Sequence, residues 1–215
     1  VRSEAFRRIC GAEDVLRESL SVGADEAYLV SGREFGGSDT LATSYILSCA
    51  VKAVEEKRGE KFDVIYCGKQ AIDGDTGQVG PEMAEHLGYT QITYATELVA
   101  CEGDKVQVRK ETADGYDVLE AALPVVISVT KTPFELRYPT VKKRLAANRA
   151  QIPTITPQDM EGQIDLSRAG LKGSPTKVKK SFTPQHNKTC VVVEEDSPSA
   201  SAVKLVALLS DDKKI

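Results

Sequence analysis

The residues best suited to chemistry lie in one glycine-rich segment, residues 68–80, with the sequence GKQAIDGDTGQVG. It follows the apolar run FDVIYC and precedes an amphipathic segment that opens at Pro81. Glycines allow backbone amides to approach a ligand closely, and a following helix directs its positive end at that ligand. Thr76 and Gln78 supply further donors. The pattern predicts a phosphate-binding loop, although turn chemistry alone also explains this composition.

Two carboxylates in the same segment, Asp73 and Asp75, are unfavourable beside a phosphate. They fit such a site if they accept hydrogen bonds from loop amides or from ribose hydroxyls. The segment is not a Walker A loop, because no GK[ST] follows, and it lacks the GxGxxG fingerprint. The residues alone therefore predict an anion site without naming its ligand.

Helical and strand patterns alternate ahead of this loop. We predict a helix over residues 12–22 that ends at Gly23, a strand over 27–30, a helix from a cap at Ser38 or Asp39 to about residue 57, and a buried strand over 62–67. This alternation is typical of right-handed crossover units. The predicted fold is α/β with a doubly wound parallel sheet, which places ligands outside the carboxyl ends of its strands.

The rest of the chain predicts further strands in that sheet, followed by a C-terminal arm and helix. Alternating residues within 91–129 predict appended antiparallel strands, on which Tyr89, Tyr94 and Tyr116 are expected to be ordinary core or rim residues. Residues 170–187 have the composition of an extended arm, and a last helix is predicted behind Ser197. We therefore predict an α/β nucleotide-binding domain over 1–160 and a C-terminal arm and helix over 161–215.

Composition and charge exclude several classes of function. A net charge of −4 and a pI near 5.4 give no basic face for nucleic acid. The chain has no apolar run of about 18 residues and no recognisable secretory signal, so a cytoplasmic protein without membrane contact is expected. Five scattered cysteines and two histidines, His86 and His186, form no metal signature and no catalytic set. We expect His86 to flank the C-terminal end of a helix.

Five segments, in order along the chain, resemble electron-transfer flavoprotein beta subunits. They are GADEAYLV (23–30), SDTLATS (38–44), CGKQAIDGDTGQVG (67–80), LPVVISV (123–129) and RYPTVKKRLAANRAQI (137–152). The resemblance extends from about residue 11 to the C-terminus. It implies a three-layer fold of the adenine nucleotide alpha hydrolase-like or flavodoxin-like type. It also implies an electron carrier that pairs with an alpha subunit and has no turnover of its own.

In that family the matching loop wraps the phosphates of a bound adenine nucleotide. The cofactor-binding residues that this implies are Cys10, Gly68, Lys69, Gln70, Ala71, Ile72, Asp73, Gly74, Asp75, Thr76, Gly77, Gln78 and Val79. The AMP-binding type usually reads DDDCNQTG here, whereas DGDTGQVG resembles the anaerobic, electron-bifurcating type, as does the linker over 172–184. The resemblance therefore favours FAD, with AMP as the alternative.

The resemblance also implies redox partners. In bifurcating members NADH reduces this flavin, one electron passes through the alpha subunit to an acyl-CoA or lactate dehydrogenase, and the other passes to ferredoxin or flavodoxin. The matching recognition segment for the dehydrogenase is Arg137, Tyr138, Pro139, Thr140, Val141, Lys142, Lys143 and Arg144. A run of charge is more often only a solvated face. Val141 stands where the family has an anchoring leucine, and a β-branched side chain is smaller and stiffer.

The N-terminus departs from the family. Complete members begin with roughly 60 further residues, which supply two strands of the sheet, and residues 1–9 match none of them. We therefore expect exposed apolar sheet edges, with either self-association or incomplete competence for nucleotide. Two other readings remain: a redox-silent AMP-binding module of the same fold, and a hydrolase or ligase. The second would need an SGGxDS loop, which the sequence lacks.

Overall fold

A computed structural model gives the fold of residues 4–7, 12–72, 74–183 and 190–212. The chain forms two compact units, Val1–Lys177 and Val178–Ile215. This division lies beyond the predicted boundary at residues 160–161, because residues that follow it bond to the second helix of the first unit. The amide of Asp165 donates to the Tyr45 hydroxyl at 2.8 Å. The amide of Thr176 donates to Asp39 Oδ2 at 3.0 Å.

Helices and strands alternate as predicted in the first half of the chain. The strands are β1 (Glu4–Arg7), β2 (Glu26–Val30), β3 (Val64–Gly68), β4 (Thr90–Glu102), β5 (Lys105–Thr112), β6 (Gly115–Ala122), β7 (Val125–Val129) and β8 (Thr154–Ile155). The α-helices are α1 (Glu13–Val22), α2 (Thr40–Arg58), α3 (Val79–Leu87), α4 (Val141–Arg149), α5 (Gly170–Gly173) and α6 (Pro198–Asp211). Short 3-10 helices lie at Arg33–Phe35, Pro157–Met160 and Leu166–Arg168.

The described strands form two sheets where the sequence predicted one. The first is parallel, in the order β1–β2–β8, and the second has the order β3–β7–β4–β5–β6. In the second sheet β3 and β4 both run parallel to β7, and β5 and β6 continue as an antiparallel ribbon. The predicted α/β architecture, parallel pairing and appended antiparallel strands are therefore confirmed. The segment that resembled no part of the family contributes β1, which pairs with β2.

The third strand differs from its prediction as a buried strand. Among the described strands β3 pairs only with β7, so one of its edges is open. Tyr66 is also 55% exposed, so the face of the sheet on which this side chain lies is not covered. An apolar run is typical of a strand buried on both faces, which requires that other elements pack on each face of the sheet.

Helix α2 organises the larger core of the first unit. Asp39 caps it, accepting a hydrogen bond from the amide of Ala42 at 3.1 Å, and Gly59 ends it in a left-handed conformation. Its buried side chains pack with those of β2, β8 and two 3-10 helices in a cluster that includes Val30, Phe35, Ile46, Ala50, Val54, Ile155 and Met160. A second cluster lies on the other sheet and includes Ile92, Val106, Val108, Val125 and Ile127. No helix in the described ranges is long and apolar enough to cross a membrane.

A buried carboxylate ties α2 to the second sheet. Glu55 Oε1 accepts hydrogen bonds from the amide of Phe62 at 3.0 Å and from the hydroxyl of Tyr89 at 2.8 Å. Burial, followed by this carboxylate, raises the pKa of Tyr89 above its ordinary value. The pair fixes the end of α2 against the start of β4, and so holds α2 beside α3.

His86 lies in the last turn of α3, as predicted. Its ring meets Tyr45 edge-on with 5.5 Å between centroids, and its Nε2 atom is buried without a hydrogen-bond partner among the described residues. Burial lowers the pKa of His86, the cations Arg168 and Lys52 lower it further, and Glu85 opposes them. The helix end favours a charged imidazole, but burial and two cations outweigh it.

Acidification is expected to destabilise the first unit through His86. Because the pKa of His86 in the folded chain lies below the ordinary 6.5, the unfolded chain binds the proton more readily as the pH falls through that value. The free energy of unfolding falls until the folded-state pKa is passed, with a slope of at most about 1.4 kcal/mol per pH unit. Urea unfolding from pH 8 to pH 5 measures this loss. His86→Phe, which keeps a ring beside Tyr45, should show a smaller loss, and equal losses would contradict the assignment.

Candidate functional site

The glycine-rich loop leaves the carboxyl end of β3 and enters α3 at Val79. Gly68 pairs with Val129 of β7, so the loop begins where two parallel strands end together. The described residues from 68 to 76 are all exposed. The loop therefore stands in solvent at the edge of the sheet where α/β proteins bind ligands.

The amides of this loop are available to a ligand. Among the described residues, no amide of residues 69–72 or 74–78 donates a hydrogen bond to another described residue. No side chain caps α3 at Gln78. Unpaired amides at a helix N-terminus carry partial positive charge and attract anions. The loop thus has the chemistry of a phosphate site.

Two glycines give the loop its shape. Gly77 has φ +63°, and a Cβ atom there would lie 3.1 Å from the carbonyl oxygen of Lys69. Gly80 is buried in the first turn of α3 and packs against Cys67 and Ser128. Burial raises the pKa of the Cys67 thiol to about 11. Cys67 is therefore a neutral packing residue, and it brings the positive end of α3 close to the sheet.

A second helix N-terminus lies beside the loop. The Thr40 hydroxyl, in the first turn of α2, donates to Gln78 Oε1 at 3.2 Å. Because this bond engages the amide oxygen, the amide nitrogen of Gln78 remains a donor for a ligand. The sequence did not identify Thr40 as a site residue; its place within the SDTLATS segment was the available signal.

Two acidic side chains lie near these helix ends. Burial acts to raise the pKa of Asp39, but hydrogen bonds from the amides of Thr176 and Ala42 outweigh it and keep that pKa low. Burial raises the pKa of Glu82, which the carboxylate of Asp39 raises further and the Ser44 hydroxyl opposes. Asp39 therefore acts as the N-cap of α2, and the positive end of the helix dipole stabilises its negative charge.

Most of the implied cofactor residues form this one loop. Those that the structure describes run without a break on either side of residue 73: Gly68, Lys69, Gln70, Ala71, Ile72, Gly74, Asp75, Thr76, Gly77, Gln78 and Val79. Cys10 and Asp73 lie outside the described residues. Cofactor binding by Cys10, by Asp73 and by the described loop residues stays a prediction.

The implied recognition segment is a second exposed surface. Its residues lead into α4, whose N-terminus Thr140 caps by accepting a hydrogen bond from the amide of Lys143 at 3.2 Å. Leu136 and Tyr138 are 88% and 86% exposed. Phe134, Val141 and Leu145 are also exposed apolar side chains. The segment thus combines apolar side chains with the predicted cations, and Phe134 and Leu136 lie just before the residues that the resemblance implied.

One arginine fixes the far end of α4. The Nη1 atom of Arg17, on α1, donates to the carbonyl oxygens of Ala147 at 2.8 Å, Asn148 at 3.1 Å and Ala150 at 2.8 Å. The last carbonyls of a helix lack the amide partners that a further turn would supply, and Arg17 provides a donor at this end. Arg17 therefore holds the base of the recognition segment on the body of the first unit.

The second unit carries the predicted C-terminal helix. Ser197 caps α6, accepting a hydrogen bond from the amide of Ala200 at 3.2 Å, and Pro198 occupies its first turn. None of its residues is buried, although Val203, Leu205 and Val206 are apolar. An apolar helix with no packed face within its own unit is typical of a surface that contacts another protein.

An open glycine-rich loop at the carboxyl ends of parallel strands lies where α/β proteins bind their ligands. The family described as Electron transfer flavoprotein domain matches residues 9–160. This chain belongs to that family, which confirms the predicted electron-transfer role of a beta subunit; nothing favours the redox-silent alternative.

Its relatives carry names consistent with that role. The electron transfer flavoprotein subunit beta of Megasphaera elsdenii is 48% identical over 207 residues, which cover 95% of this chain and 76% of the relative. Protein FixA of Azorhizobium caulinodans is 40% identical over 198 residues, covering 91% and 70%. The acryloyl-CoA reductase electron transfer subunit gamma of Anaerotignum propionicum is 40% identical over 187 residues, covering 85% and 68%.

Proposed function

We propose that the loop of residues 68–79 binds FAD, and that the chain, paired with an electron-transfer flavoprotein alpha subunit, relays electrons between NADH and dehydrogenases. The unpaired loop amides at the N-terminus of α3 are the observation that carries this proposal. These amides carry partial positive charge and donate hydrogen bonds, so they complement the negatively charged pyrophosphate of a dinucleotide. AMP, with one phosphate, is the alternative occupant of the same loop.

The division of labour follows from the residues present. A bound flavin supplies the one- and two-electron chemistry. The chain holds its phosphates with loop amides, with the Thr76 hydroxyl and with the Lys69 ammonium. Asp75 is exposed at the loop and can accept a ribose hydroxyl. The chain is therefore a carrier subunit without turnover of its own.

Bifurcation is the finer part of the proposal. The sequence DGDTGQVG and the linker over 172–184 resemble the bifurcating group, which favours FAD in this loop. One relative is named an electron transfer subunit of acryloyl-CoA reductase, which supports an acyl-CoA dehydrogenase as a partner. A lactate dehydrogenase, ferredoxin and flavodoxin complete the proposed set. We place this work in the cytoplasm.

Two surfaces are assigned to the protein partners. Residues 134–145 present exposed apolar side chains among Arg137, Lys142, Lys143 and Arg144, which suits a dehydrogenase surface with an apolar pocket and acidic surroundings. The exposed helix α6 and the arm before it are assigned to the alpha subunit. Val141, which is exposed, is the proposed anchor.

Counting nucleotides in the heterodimer tests this function. The chain is co-purified with its alpha subunit, the complex is denatured, and released FAD and AMP are quantified. Two FAD per heterodimer is the expected result. One FAD with one AMP would favour the alternative occupant, and one FAD with no second nucleotide would contradict nucleotide binding by this loop. Steady NADH oxidation by the isolated chain would contradict the carrier role.

A further inference from the structure

A β-bulge interrupts the parallel pairing next to the loop. Ile92 of β4 pairs with Ile127 of β7 and Ala95 pairs with Val129, so Thr93 and Tyr94 together oppose Ser128. Tyr94 has φ 59°, and within the described ranges no other residue besides glycine has a positive φ. A bulky residue rarely adopts this conformation, and bulges that impose it are frequent beside functional sites, where they re-aim a side chain.

A buried serine holds the bulge in place. The amide of Tyr94 donates to Ser128 Oγ at 3.1 Å. Ser128 is buried, pairs with Cys67 on β3 and faces Gly80 at the start of α3. The hydroxyl that fixes Tyr94 therefore lies on the strand that runs beneath the loop. Ser128 therefore contacts both the bulge, at Tyr94, and the end of the loop, at Gly80.

The ring that the bulge presents meets a cation of the loop. Lys69 Nζ lies 5.2 Å from the centroid of the Tyr94 ring. This is within the range of a cation–π contact. In the described part of the chain, no carboxylate lies within ion-pair distance of Lys69. The ammonium is thus in contact with an uncharged ring and is not paired with any carboxylate that the structure describes.

We infer that Tyr94 and Ser128 are positioning residues that hold the Lys69 ammonium over the ends of β3 and β7, where it binds a phosphate of the nucleotide. This inference rests on the proposed nucleotide-binding function. The ring restricts a long flexible side chain without neutralising it, which reduces the entropy lost when Lys69 meets a phosphate. Tyr94 therefore has a role beyond that of the ordinary core or rim residue that the sequence predicted.

The test compares AMP with adenosine, which lacks the phosphate. Both are titrated calorimetrically into the full chain and into Tyr94→Asn, Tyr94→Phe, Lys69→Met and the double variant Tyr94→Asn/Lys69→Met. Asparagine tolerates a positive φ, so Tyr94→Asn removes the ring without adding backbone strain. Tyr116→Asn is the matched control. Tyr116 also lies beside a cation, since Arg109 Cζ is 4.7 Å from the centroid of its ring, but it lies on β6, away from the loop.

The expected result is specific to the phosphate. Tyr94→Asn weakens AMP binding about two- to fivefold, as expected for loss of an exposed cation–π contact. It leaves adenosine binding unchanged, adds nothing to the loss caused by Lys69→Met, and is rescued by Tyr94→Phe. Ser128→Ala, which removes only the hydroxyl, gives a loss of the same kind. Tyr116→Asn binds like the wild type.

Three results would overturn the inference. In the first, Lys69→Met weakens AMP binding while Tyr94→Asn and Ser128→Ala bind AMP like the wild type. Lys69 would then bind the phosphate without being positioned by Tyr94 and Ser128. Equal losses for AMP and adenosine would indicate a general structural effect. Failure of the wild-type chain to bind AMP or FAD would overturn the proposed function itself, and this inference with it. Urea unfolding of each variant confirms that the affinities refer to folded protein.

Discussion

Gly170→Ala is expected to lower the free energy of unfolding of the first unit by about 2–4 kcal/mol, since overpacking and an unfavourable φ both contribute. Gly170 has φ +60°, and a Cβ atom there would lie 2.1 Å from the carbonyl oxygen of Glu34 and 3.1 Å from that of Gly36. Both contacts are backbone atoms, so no flexible side chain can move aside. Urea unfolding followed by circular dichroism measures the loss.

Gly162→Ala is the matched control for this prediction. Gly162 has φ +83°, and a Cβ atom there would have no neighbour within 4 Å. Alanine at this position therefore adds only backbone strain, about 1–2 kcal/mol. Similar losses in the two variants would mean that the close approach of Gly170 to residues 34–36 does not exist in solution.

Gly77→Ala is expected to weaken FAD or AMP binding by about 5- to 30-fold. This loss corresponds to about 1–2 kcal/mol of backbone strain in the conformation of the loop that binds the nucleotide. Gly77 has φ +63°, and the new Cβ atom would lie 3.1 Å from the carbonyl oxygen of Lys69. The loop must open to relieve both, which moves its amides away from the phosphates. Affinity is measured by titration of the nucleotide into the purified chain.

Gly74→Ala is the control within the same loop. A Cβ atom at Gly74 would have no neighbour within 4 Å, and its φ lies outside the left-handed region. We expect near wild-type affinity and unchanged urea unfolding for this variant. If the two substitutions weakened binding equally, the shape of the loop at Gly77 would not be what positions its amides.

Features set by neighbouring residues were predictable from the sequence. Asp39 caps α2 and Gly23 ends α1 as predicted, because capping depends on a few adjacent residues. The turns at Gly103 and Gly115 define the antiparallel ribbon for the same reason. The glycine-rich loop was equally recognisable, since its free amides follow from its local composition.

Features set by distant partners were not predictable. The bulge at Tyr94 depends on its register against Ser128, which alternation along one strand does not reveal. The exposure of Tyr66 depends on which elements pack on that face of β3. Residues around Gly170 were assigned to an arm because lysine and serine dominate there. Their fit depends instead on contacts with Glu34 and Gly36, more than a hundred residues earlier.

The three carbonyls gathered by Arg17 have a consequence for molecular recognition. Because the end of α4 is fastened to α1, the part of the segment that can adapt to another protein is the exposed stretch before Thr140. Each ordered residue costs about 1–2 kcal/mol of backbone entropy, so a short adaptable tip on a fixed stem keeps that cost low. A fixed stem of this kind is suited to reversible contacts rather than to one permanent complex.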